Sequence, residues 1–458
     1  MGKKPGLSLK ARGKRPLSSF NTLMLAELKK APQTFLQHRL EKLIIKKAPH
    51  VPAGFANSLA AHTVARQSED HVWLDENGEK FDVDIEFLPS DLEVLESELK
   101  KFIEEDIAEI IPQIVKSSAV TLGKSLKADW PAQRAHDEAV IGQFRASLEQ
   151  RWGAAFDTLR MMYTIAIEIG DDVTKRHRRS RAKKNMVLND TLTRLHARAC
   201  QVMLEIIILM ENGLADGAMA RWRTLHELTI VATLLVEHGE DLAIRYRAHE
   251  AVEAKRAMDR YIVHHEQLGH EPMTDDEISA TNAAFQKCLT IYGDRFGSEY
   301  GWAAHHLDMK KPRLVDLEVA VGKAPMQSFY RLASYNVHAG SRGLTFRLGI
   351  LDSEKAPIAI AGASNAGFID PAQNSAYDLV AITSLLSHGT ARFDRMLEIQ
   401  LLINLRDQLP NELRKAQREL DQAHRAQLRA EGEATSKRKA RSPRRSHTLA
   451  RPRHLEVK

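Results

Sequence analysis

An arginine, a serine, a tyrosine and a histidine on one helix face can line a polar cleft. The chain offers that combination in Tyr330-Arg331-Leu332-Ala333-Ser334-Tyr335-Asn336-Val337-His338. Positions 331, 334, 335 and 338 share one face of a helix, which predicts a polar stripe of Arg331, Ser334, Tyr335 and His338. Asn336 stands beside the stripe and Arg342 extends it. A lone histidine would more often be a satisfied core residue, and His338 fits that reading too, whereas four polar residues on one stripe point toward a cleft.

A second group lies in Arg221-Trp222-Arg223-Thr224-Leu225-His226-Glu227, surrounded by Ala, Met, Leu, Ile and Val. Arg223 and Glu227 are i, i+4 neighbours and can pair. A charged pair on an apolar helix costs stability unless it is fully hydrogen-bonded. It is therefore kept either as a tie between helices or as part of a site.

Other chemistries find less support. His264-His265, His270 and His305-His306-Leu307-Asp308 gather imidazoles, but adjacent histidines on a helix point about 100° apart. His265 and His270 stand one residue too far apart for a zinc-binding HExxH helix. No metal or cofactor is expected. The sequence holds no GxxxxGK[ST] phosphate loop, no GxSxG elbow and no dinucleotide fingerprint. The 2 cysteines, Cys200 and Cys288, read as reduced thiols.

Helices must position these groups. Among 458 residues, 43% are hydrophobic and 28% charged, with 24 Gly and 16 Pro, a composition that favours an all-α fold. The expected architecture is a helical bundle core, an N-terminal helical accessory region with a small β-hairpin, and a basic C-terminal tail. Residues 1–18 read as a disordered basic arm and 19–135 as the accessory region, in which a helix runs over 21–47. Near 71–88, Val72-Trp73-Leu74 and Phe81-Val83-Ile85 alternate with polar residues around Asn77-Gly78, which predicts the hairpin. Trp130-Pro131 predicts a helix break. The core is expected over 136–410, with helices at 188–211, 215–236, 241–266, 274–292, 313–321, 326–338 and 371–408. Residues 340–367 read as loop or short strand. A projecting helix over 411–434 and a disordered basic tail over 435–458 complete the expectation.

Charge is uneven. The formal net charge is +6, yet residues 1–15 carry six Lys/Arg and no acid, and residues 435–458 carry nine Lys/Arg and one Glu. The body between them is therefore acidic. Seven of the ten residues in 175–184 are Lys or Arg. These three segments suit either solvation or contact with the phosphate backbone of RNA or another nucleic acid. Neither a secretory leader nor a membrane span is evident, so the expected location is the cytoplasm, with no membrane partner.

The block from Glu211-Asn212-Gly213-Leu214 through Arg223-Thr224-Leu225-His226-Glu227, with Trp302-Ala303 and Tyr330 to His338, resembles a bacterial helical family known as domain of unknown function 5677, over about residues 185–400. That resemblance implies an all-α core and directs attention to Arg223, Glu227, Ser334 and His338, without supplying an activity. Arg331 followed after six residues by His338, and Arg221 after four by His226, are similar to the Arg–His motif of HEPN-type helical RNases. That likeness implies metal-independent RNA cleavage in a defence or toxin role, with a site formed across a homodimer. The resulting expectation is an RNA-directed protein in which Arg331 and His338 carry catalysis and Arg223 and Glu227 order the site. The rival is a non-enzymatic helical interaction protein that binds nucleic acid or a protein partner through its basic tails.

Overall fold

Apolar residues recur at helical spacing over most of the chain, and the computed structural model is correspondingly a set of helices. It describes residues 16–65, 83–179, 184–351, 361–388 and 392–441. The chain divides into two units, residues 1–139 and 140–458.

In the first unit, α1 (Pro16–Lys47), α2 (Ala53–Val64) and α3 (Pro89–Lys101) enclose a small core of Leu40, Ile44, Val51, Phe55, Ala56, Ala60 and Leu95. Pro52 precedes α2, where its missing N–H is no loss. Asp91 accepts from the Leu88 backbone N–H at 2.8 Å, and Lys47 closes on the same carboxylate at 2.5 Å. Those bonds hold Asp91 below the usual carboxylate range.

The hairpin expectation is corrected here. Residues 71–82 lie outside the described residues, and residues 83–88 form no strand. The alternation is real, however: Val83, Ile85 and Phe87 pack against the helical core while Asp84 and Glu86 face water. Period-two burial reports that one side of an extended segment is covered, and here helices do the covering. No strand occurs among the described residues.

A π-type turn at Phe102–Asp106 leads into α4 (Ile107–Arg179), which continues through Pro112 and Pro131. The expected break at Trp130-Pro131 is therefore absent. Proline frees the carbonyl four residues back, here that of Lys127, and residues 127–132 are exposed, so water can take that bond.

The second unit is built on α5 (Met186–Glu211), α6 (Ala215–His238) and α13 (Ile369–Leu386), which pack against one another and against the C-terminal part of α4. Between them lie α7 (Glu240–Ala248), α8 (Glu250–His264), α9 (Asp275–Tyr292), α10 (Leu314–Ala320), α11 (Gln327–Ser334) and α12 (Arg342–Thr345). The α5–α6 corner ends in a Schellman turn, with Leu214 N–H to Leu209 O at 2.8 Å and Gly213 N–H to Met210 O at 2.9 Å. Gly213 has φ 78°, and a Cβ there would stand 2.7 Å from the Phe144 ring and 2.8 Å from Ser364 O, so only glycine fits. Trp152, Phe156, Leu192, Met203, Ile206, Trp222, Leu235, Phe368 and Leu379 fill the seam. Each such fully buried side chain contributes roughly 1.5–3 kcal/mol.

The C-terminal expectation also shifts. The helix expected over 371–408 is two: α13 ends at Leu386, and α14 (Phe393–Arg441) starts anew. α14 passes through Pro410, and Leu413, Ala416 and Leu420 are buried, so residues 411–420 belong to the core and do not project. Their apolar spacing is the sparse 409, 413, 416, 420 stripe of a helix covered along one edge.

Candidate functional site

α6 presents two polar faces one residue apart. Trp222 and His226 point toward α13, while Arg223 and Glu227 point toward α11. On the first face, the Asp378 carboxylate, 1% exposed, collects three donors. Trp222 Nε1 donates to Oδ2 at 2.9 Å, His226 Nδ1 lies 3.0 Å from the same oxygen, and Lys323 Nζ donates to Oδ1 at 2.8 Å. An ionised carboxylate only accepts, so Nδ1 carries the ring proton in this contact. Burial pushes the Asp378 pKa up, but the hydrogen bond from His226 and the Lys323 charge outweigh it and hold the group below its ordinary value. On the other side of the ring, His226 Nε2 lies 3.4 Å from Glu318 Oε1 without hydrogen-bonding geometry, and neither atom has another partner. Burial raises Glu318 above its ordinary value, with only partial compensation from His226.

On the second face, Tyr330 of α11 links the expected pair. Arg223 Nη2 donates to the Tyr330 hydroxyl at 2.6 Å, and that hydroxyl donates to Glu227 Oε1 at 2.5 Å. The Arg223 guanidinium also lies 4.4 Å from the centre of the Tyr330 ring, a cation–π contact. Arg223 and Glu227 themselves stand 3.7 Å apart. Burial, then the bond to Glu227, pushes Tyr330 up to about 12. Tyr300 is raised as well, first by burial and then by Glu227. This face is less sealed than the first: the Glu227 side chain keeps 40% of its exposure and that of Arg223 keeps 18%.

The stripe at 331–338 is only partly helical. α11 ends at Ser334, and residues 335–338 continue as turns, with His338 N–H reaching Ser334 O at 3.0 Å. The Ser334 hydroxyl is spent on the Tyr330 carbonyl at 2.8 Å. The Tyr335 ring lies 5.6 Å from the Arg342 guanidinium, and both polar side-chain atoms of Asn336 are buried without a partner. A Cβ at Gly343 would stand 2.4 Å from Tyr335 O, so the loop after α11 closes against its own start only because residue 343 is glycine. Arg331 and His338 are both exposed. No hydrogen bond or ion pair joins either side chain to a described residue.

Arg221 and His226 diverge. Arg221 pairs with Glu205 of α5 and donates to Thr224, while His226 turns to Asp378 and Glu318. Of the basic segments, 1–15 and 442–458 lie outside the described residues, and 435–441 continue α14. Within 175–184, Lys175 pairs with Asp171 and Arg176 with Asp172, so part of that charge is neutralised along α4. No group of three or more His, Cys, Asp or Glu side chains among the described residues could hold a metal ion. No helix there is long and apolar enough to cross a membrane.

Sequence reasoning missed Trp222, Glu318, Lys323 and Asp378. A signal for Asp378 was present: it is the sole charge in Ser375-Ala376-Tyr377-Asp378-Leu379-Val380-Ala381-Ile382, the same kind of isolation that singled out Arg223 and Glu227.

Residues 189–356 match a family of unknown function, DUF5677. The segment holds Arg223, His226, Glu227, Glu318, Lys323, Tyr330 and the whole 331–338 stretch, and stops short of Asp378. No match was found among curated proteins or among solved structures.

Proposed function

From a segment that falls in a family without an assigned activity, we propose a metal-independent endoribonuclease that works at the end of α11. The observation that carries the reading is the clamp on Tyr330. Arg223 and Glu227 fix the residue next to Arg331, and the exposed Arg331 and His338 side chains have no hydrogen-bond or ion-pair partner among the described residues. Groups held close to a rigid tie yet unpaired are available to a substrate.

In the proposed reaction, His338 takes the proton of a ribose 2′-hydroxyl as that oxygen attacks the adjacent phosphorus. Arg331 pairs with the non-bridging oxygens as charge builds on them. The bond from phosphorus to O5′ breaks, leaving a 2′,3′-cyclic phosphate and a 5′-hydroxyl that receives its proton from the imidazolium. Arg223 and Glu227 act as positioning residues through Tyr330, with Ser334, Tyr335 and Asn336 shaping the turn. The basic segments 1–15, 175–184 and 435–458 would add affinity that is independent of sequence. A role in defence or as a toxin rests on analogy with helical RNases.

A second reading, a non-enzymatic interaction protein, is favoured by one observation: the most highly organised charges, around Asp378, are sealed and tie helices together. The test is cleavage of a mixed RNA pool in EDTA. Cutting that ends in 2′,3′-cyclic phosphate, and that Arg331→Ala/His338→Ala abolishes, supports the nuclease. A folded wild-type protein that leaves the pool intact sinks it in favour of the interaction protein.

A further inference from the structure

The first three turns of α14 turn an apolar ridge away from the bundle. Phe393, Met396, Leu397 and Leu401 are 84%, 65%, 62% and 47% exposed. The roll of the helix is fixed from its other side, where Leu402 is buried and Arg395 reaches Asp172 at 2.5 Å and Glu398 at 2.7 Å. The ridge is therefore held outward.

Its area, charge and symmetry all fit a second copy of this chain. Four large side chains at these exposures leave on the order of 500 Å² in water. Two such ridges face to face would bury about 1,000 Å², the lower bound for a specific interface. From Met396 to Leu405 the sole ionisable residue is Glu398, already paired with Arg395. Depletion of charge and enrichment in Phe and Met mark the centre of an interface between proteins. Phe393, Leu397 and Leu401 form an i±4 ridge, the kind that packs helix on helix, and it is symmetrical about Leu397. A two-fold contact needs residue i to meet j while j meets i. An antiparallel pair centred on Leu397 does that: Leu397 meets its own copy and Phe393 meets Leu401. The same register sets the Gln400 amide opposite Asp394, a donor facing an acceptor.

We propose that this ridge joins two copies of the chain across a two-fold axis at Leu397. The proposal is independent of the ribonuclease reading, because its test measures mass. Light scattering of the full-length protein at micromolar concentration should give twice the chain mass, and Leu397→Asp should give a monomer with unchanged helical content and melting temperature. In a Cys288→Ser background, Leu397→Cys should form a covalent dimer on mild oxidation, because the axis brings the two Cβ atoms within disulfide reach. Phe393→Cys should do so far less. A monomeric wild type overturns the proposal. So does a dimer that survives Leu397→Asp, or one that Leu397→Cys fails to cross-link.

Discussion

The core surrounding α6 and the exposed end of α11 contain similar residue types in opposite states. In the core, Asp378 accepts from Trp222, His226 and Lys323, and all but Lys323 are almost fully buried. At the end of α11, Arg331 and His338 face water with no hydrogen-bond or ion-pair partner among the described residues. The contrast separates charge that holds a fold from charge that is free to act. A carboxylate this buried is closed to a substrate, and its removal leaves the Trp222 and His226 donors and the Lys323 charge without their acceptor. An exposed, unpaired arginine contributes little to stability, so its value lies in what it meets.

Breaking the core should have the largest effect. Asp378→Ala removes the acceptor for three donors, and we expect a loss of about 3–5 kcal/mol in urea unfolding. A loss below that of an ordinary surface change would mean the cluster is not a tie.

The second effect depends on pH. His196 is buried against Thr383, and burial pushes its pKa from 6.5 down to about 4. A depressed histidine favours the native state above its unfolded value. That contribution fades as pH falls from 6.5 and is gone by about 4, an expected loss of roughly 3 kcal/mol. Asp378, also depressed, loses its contribution in the same direction at lower pH, whereas Glu318, raised by burial, loses its contribution as pH rises. Urea midpoints across this range should fall steeply for wild type and less so for His196→Gln. Parallel curves would show that the imidazole titrates alike in both states.

Tyr330→Phe sits between the two regions. It removes the hydroxyl joining Arg223 to Glu227, and we expect a loss of about 1–3 kcal/mol together with slower RNA cleavage. Full activity at reduced stability would show that the clamp has no part in positioning Arg331. The smallest effect on stability should come from Arg331→Ala and His338→Ala, each within about 0.5 kcal/mol of wild type by thermal unfolding.

Much of this contrast could be read from the sequence, for reasons that differ by residue. Arg223 and Glu227 stood out because charge is rare on an apolar helix, and their i, i+4 spacing places them side by side. The bridging Tyr330 lies 103 residues from Glu227, a separation that no local pattern encodes. Asp378 and Lys323 escaped for the same reason, since their meeting depends on how α13 and the loop after α10 pack on α6. Helix ends bounded by glycine were legible, as at Gly213, where the required φ fits that residue best. Pro131 misled because proline weakens a helix without ending it where water can take the freed carbonyl. The alternation at Val83, Ile85 and Phe87 revealed a covered side but not what covers it.

The most direct test of the division is RNA cleavage in EDTA by the Arg331→Ala/His338→Ala variant beside wild type, with both unfolding curves in hand. The account predicts a variant as stable as wild type that no longer cuts RNA. Equal cutting by the two proteins, or an intact RNA pool with a folded wild type, would contradict it.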